Sequence, residues 1–130
     1  MGLPGEDGLF LDLKAAGLTA EGIEKMFPPP VYFTAVIDGG LVPDKAALLG
    51  ALAAAFRFPA YFGGNWDALL DCLRSLPDEV PAKGYALLIC NSSEFLGSSP
   101  KDREDFAFVA AEARRFLEEK FSADFIIILL

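Results

Sequence analysis

The sequence predicts an α/β domain: a three-stranded parallel sheet packed with helices, preceded by a short N-terminal extension. Three observations predict it. Apolar runs of strand length occupy residues 31–37, 85–90 and 125–130, and segments of helical periodicity separate them. Strands that alternate with helices pair in parallel through right-handed crossovers, and helices then cover the sheet, so unbroken apolar strands are what this arrangement needs. The chain has 130 residues, 53% of them apolar and twelve of them Phe, enough for one core without metals or disulfides.

The elements follow in order. Residues 1–30 read as an extension, in which Leu9-Phe10-Leu11-Asp12-Leu13 has strand character and Thr19 caps a helix through Ile23 to Phe27. Pro28-Pro29-Pro30 stops that helix and makes a stiff extended spacer, and the extension as a whole packs loosely on the domain at 31–130. Val31 to Ile37 is rich in β-branched and aromatic residues, hence a buried strand. Asp44 caps a helix whose apolar face is Leu48, Leu49, Leu52 and Phe56, and Pro59 ends it. Asn65 caps the next, with Trp66, Leu69, Leu70 and Leu73 at i, i+3, i+4 and i+7. Pro77 and Pro81 bracket a loop, and Tyr85 to Cys90 forms the second strand. Ser99 and Pro100 supply a cap and a first helical residue for a helix with Phe106, Val109, Ala110, Ala113, Phe116 and Leu117 on one side. Phe125 to Leu130 is the last strand.

Composition narrows the chemistry. Nineteen acidic residues against eleven basic ones give a net charge of −8. Nucleic acid and anionic membrane surfaces are therefore disfavoured partners, since both draw on Lys and Arg. A basic protein is favoured, because opposite charge speeds encounter; a merely solvated acidic surface is the plainer alternative. With no His, neither a Ser–His nor a Cys–His nucleophile pair is available. Cys72 and Cys90 are too few for a disulfide framework and read as buried free thiols. The N-terminus lacks a basic flank and an apolar signal core, and no apolar run reaches a membrane span. These features fit a reducing cytoplasm, with no catalytic residue, cofactor or metal site expected.

The informative stretch runs from Phe58 to Leu73. Asp67 lies in the first helical turn, where exposed amides and the positive dipole end favour a carboxylate, so it needs no function to explain it. Asp71 is harder to dismiss. It stands four residues on, along the same face, where two carboxylates repel by roughly 0.2–0.5 kcal/mol, and Asp is a poor residue inside a helix. A paired acidic face is thus a candidate contact for something cationic. Tyr61 precedes Gly63-Gly64, which let the backbone turn tightly and approach a partner; a half-buried ring closing the loop is the plainer reading of that Tyr. Trp66 starts the apolar stripe and reads as core. The glycines carry no Walker pattern and no nearby Lys, so phosphate binding has little behind it.

From Pro59 to Leu73 the chain resembles the barstar family, intracellular inhibitors of barnase-type ribonucleases. The shared residues are the Pro, Tyr61, Gly63, Asn65, Asp67-Ala68-Leu69 and Asp71-Cys72-Leu73, gathered in fifteen positions. A looser likeness runs from Val31 to Leu130, including Asp124 to Leu129, and leaves residues 1–30 outside. The resemblance implies the three-stranded barstar-like sheet. It also implies that the helix after the Tyr-Gly loop enters a ribonuclease active site, with Asp71 in the phosphate pocket and Asp67 and Tyr61 on the surrounding cations and recognition loop. Leu70 stands where the family has a contact aromatic, Arg74 where it has a small neutral residue, and Leu76 replaces another aromatic. Glu118 matches an acidic contact on the last helix. The expected partner is a basic ribonuclease bound by Tyr61, Gly63, Asn65, Asp67, Leu70, Asp71 and Glu118, the free chain being a monomer. Two other readings use the same residues. One is a barstar-fold module for another cationic protein. The other is a metal-dependent enzyme with Asp67 and Asp71 as ligands, which lacks a third carboxylate at suitable spacing.

Overall fold

The computed structural model describes residues 9–58 and 64–130. Its elements in chain order are β1 (Phe10–Asp12), α1 (Ala20–Glu24), β2 (Tyr32–Asp38), α2 (Lys45–Phe56), α3 (Trp66–Arg74), α4 (Leu76–Glu79), β3 (Gly84–Cys90), α5 (Pro100–Phe121) and β4 (Asp124–Leu129). All strand pairs are parallel, in the order β1-β4-β3-β2. The register aligns Ala35, Leu87, Ile127 and Phe10 across the sheet.

The α/β class with a parallel sheet is as expected, but the sheet has four strands instead of three. The fourth, β1, is three residues long and lies in the stretch with strand character at Leu9 to Leu13, which the sequence assigns to the extension and not to the sheet. It is held at both ends: Ile127 N–H donates to the Leu9 carbonyl at 2.8 Å and Leu13 N–H to the Leu129 carbonyl at 2.8 Å.

Alternation along the strands separates two apolar layers. Ala35, Ile37, Tyr85, Leu87, Ile89, Phe125 and Ile127 join one core with Leu48, Leu52 and Phe56 of α2, Leu69 and Leu73 of α3, and Phe106, Ala110, Ala113 and Leu117 of α5. Tyr85 is fully buried because its hydroxyl donates to the Val80 carbonyl at 2.6 Å. On the other side Ala86, Leu88 and Ile128 meet Ile23, with Leu13, Ala20 and Phe27 packed around them. Residues 84–89 of β3 are accordingly buried without a break, which is why that strand shows no apolar–polar alternation.

Local chemistry sets most helix starts. Thr19 Oγ1 accepts from Gly22 N–H at 3.1 Å, Asp44 Oδ1 from Ala47 N–H at 3.0 Å, and Asn65 Oδ1 from Ala68 N–H at 2.8 Å. Pro100 does open α5, yet Ser99 makes no side-chain capping bond. Instead Asp102 Oδ2, in the first turn of α5, accepts from Lys45 N–H at 3.0 Å and ties α5 to the start of α2. α2 ends at Phe56 because Arg57 turns left-handed (φ 58°), two residues before Pro59. The stretch expected as a loop after Pro77 begins with α4, a single turn with Pro77 near its start, where a missing amide costs nothing. Both cysteines are free; Cys72 is buried and Cys90 half-buried. Among the described residues no helix is long and apolar enough to cross a membrane.

Candidate functional site

α3 presents the acidic face. Leu69, Cys72 and Leu73 are buried on its inner side, where it packs along α5 and the core. With 3.6 residues per turn, Asp67 and Asp71 fall together on the opposite side, and both are exposed. Neither carboxylate has a hydrogen bond or ion pair among the described residues. Two acidic side chains one turn apart, solvated and unpaired, leave an anionic strip on a backbone fixed from behind. Gly64 leads into the helix at φ 70°, a left-handed conformation that side chains rarely adopt. Asn65 is exposed, and its side-chain oxygen is already engaged in the cap.

On α3 itself, the neighbours of this strip are not acidic. Trp66 is half-buried against the core, with the Lys45 ammonium 5.5 Å from its ring centroid. Leu70 is also half-buried and packs on the core. Arg74 leans onto α5, its guanidinium 5.3 Å from the Phe116 centroid, and Phe116 lies 6.1 Å from Phe121. The Nε of Arg74 is buried there without a hydrogen-bond partner. A cation at the carboxyl end of a helix meets a favourable dipole, which helps to hold it in place.

The expected site residues are therefore distributed unevenly. Asn65, Asp67, Leu70 and Asp71 share α3. Tyr61 and Gly63 lie outside the described residues. Glu118 is exposed near the end of α5, pairs with Arg114 at 3.6 Å, and borders a cleft with Tyr32 and Asp124. It stands two residues, about 200°, around α5 from Phe116, the ring that Arg74 of α3 meets. Sequence periodicity did not disclose the aromatic pair Phe116 and Phe121 as neighbours of Arg74. Phe116 belongs to the core stripe and Phe121 ends the helix, so no local signal separates them from packing residues.

The site offers little covalent chemistry. Burial, and then the charges of Asp71 and Glu79, push the Cys72 thiol up, which keeps it protonated and a poor nucleophile at neutral pH. Among the described residues no group of three or more Cys, Asp or Glu is placed to hold a metal ion. What the arrangement can do is meet positive charge.

The family model described as barstar (barnase inhibitor) matches residues 32–128, most of the chain and all of β2 to α5. Comparison with curated proteins gives no match.

Proposed function

The chain belongs to the barstar family, and on that basis we propose that it is a protein inhibitor of a barnase-type ribonuclease, blocking the enzyme with acidic side chains that stand in for RNA phosphate. The observation that carries this reading is the pair Asp67 and Asp71, exposed and unpaired among the described residues, on the outer side of α3, within the stretch that resembles the family most closely. A ribonuclease holds its anionic substrate with fixed cations. Carboxylates on a packed helix offer those cations the charge of a phosphate with no bond to cleave, and their rigidity limits the entropy lost on binding. Asp71 fills the phosphate pocket in this reading; Asp67 meets the cations around it, Tyr61 and Gly63 the recognition loop. The chain acts as a binder and not as a catalyst, as a free monomer in the cytoplasm.

Titration of the purified chain into a barnase-type ribonuclease, with a fluorogenic RNA substrate as readout, tests the proposal. Stoichiometric loss of activity is expected. Asp71→Ala should weaken binding by about 2–5 kcal/mol, the cost of leaving buried cations unpaired, with an unchanged circular dichroism spectrum. Undiminished ribonuclease activity at excess chain would overturn it. A second reading, a module for a different cationic protein, draws on Arg74 and Leu70, which place a cation and an aliphatic residue where the family has a small neutral residue and an aromatic. It predicts no inhibition, together with tight binding to some other basic protein that Asp71→Ala abolishes.

A further inference from the structure

We propose that a cleft beside Asp71, between the carboxyl end of α2 and the α3–α4 junction, receives a single arginine side chain of the protein partner. The proposal rests on the reading that α3 faces a basic protein, and it adds a second point of recognition that the strip of Asp67 and Asp71 does not contain.

The cleft has a volume of about 50 Å³. A water needs roughly 10–15 Å³ of such room, so the space suits a side-chain head and is too small for a nucleotide or an organic cofactor. Its inner wall is apolar: Phe56 and Phe58, stacked at 5.8 Å and 9°, with Leu76 and Cys72. Asp71, Ser75 and Glu79 line the cleft as well, and Asp71 and Glu79 are exposed. The Ser75 hydroxyl donates to the Asp71 carbonyl at 3.0 Å, so its lone pairs remain able to accept. Both carboxylates act on the Cys72 thiol in the wall, so their charge reaches the interior of the cleft.

One cation, Arg57, also lines the cleft and offsets part of its negative charge, leaving two carboxylates against one guanidinium. The Arg57 guanidinium lies 5.9 Å from the Phe33 centroid, over β2, and forms no ion pair among the described residues. Glu79 likewise has no ion-pair partner there. An apolar wall beside two carboxylates that face a single cation matches a long cationic side chain, whose methylene stem packs while its head stays polar. Arginine fits better than lysine: its planar fork can reach two carboxylates and a hydroxyl at once, and it is less strongly hydrated. Asp71 then belongs to both surfaces, so the partner's arginine must sit next to the cations that Asp71 itself meets.

Nuclear magnetic resonance titration of the full chain with arginine amide, against lysine amide and sodium chloride at equal ionic strength, tests this. Saturable shifts are expected at Phe58, Ser75 and Glu79, weaker with lysine amide. Glu79→Gln, a change at an exposed position, should lower the affinity about two- to fivefold, the range for pairs near the surface, whereas Glu104→Gln on α5 should not. Shifts no larger than those caused by salt, or unaltered by Glu79→Gln, would overturn the proposal. Ribonuclease inhibition is read separately, so an arginine amide that fails to bind leaves the role of α3 standing. An enzyme that is not inhibited, beside an arginine amide that binds, would do the reverse.

Discussion

Asp71 occupies a place that helix energetics argue against, and among the described residues no internal partner offsets the cost. That much was legible from spacing alone, because the buried stripe of α3 and the outward pair follow from one period. The surroundings of Arg74 were not. Its contact with Phe116 joins residues 42 positions apart in sequence, and nothing local signals a stacking partner at that separation. Held over an aromatic ring at the end of the acidic strip, its charge opposes a basic target. Arg74→Ala should therefore tighten binding of a barnase-type ribonuclease severalfold in low salt, while costing about 1 kcal/mol of stability through the lost cation–aromatic contact. Isothermal titration together with thermal unfolding measures both. Weaker binding instead would show that Arg74 itself touches the partner, and would favour a target other than a basic enzyme.

Helix α3 depends on its first turn. Asn65 Oδ1 satisfies the Ala68 amide at 2.8 Å and fixes where the helix begins, hence where Asp67 and Asp71 point. Asn65→Ala is expected to cost about 1 kcal/mol in chemical denaturation and to weaken target binding, while Asn65→Asp, which keeps the accepting oxygen, should retain most of the stability. A loss of binding without any loss of stability would mean that this side chain contacts the partner directly. Caps such as Thr19, Asp44 and Asn65 were readable because each is a bond between near neighbours. Two features at helix ends were not. Arg57 is left-handed although nothing in its side chain asks for it, and Ser99 leaves its capping role empty while Asp102 bonds across to α2. Backbone bonds to the Ala53 carbonyl, from Phe58 N–H at 2.9 Å and from Arg57 N–H, close the first, and a tertiary contact decides the second.

The order and parallel pairing of the long strands were legible because their apolar runs are long and separated by helices. The fourth strand was legible as a strand but not as a member of the sheet, because its partner lies at the other end of the chain. Residues 9–30 nevertheless contribute both an edge strand and the cover over Ala86, Leu88 and Ile128. A chain starting at residue 31 uncovers that layer, and each large side chain returned to water costs about 1.5–3 kcal/mol. Such a truncation is expected to bind a hydrophobic dye, unfold at a lower temperature and aggregate; a truncated chain as stable and soluble as the full one would show that the cover is dispensable. The overall charge of −8 works at longer range. Raising salt from 50 to 500 mM should slow association with a basic target much more than it hastens dissociation, because only the approach depends on the unscreened field.

β3 has a hydrogen-bonded strand on either hand and an apolar layer above and below. No local fluctuation frees its amides, so they should accept deuterium from solvent only when the protein unfolds globally, with Leu87, Leu88 and Ile89 last to do so. Phe10 and Leu11, in the short edge strand, should accept it far sooner, by partial opening. The span between these two clocks measures how much of the molecule can come loose while its binding helix stays in place.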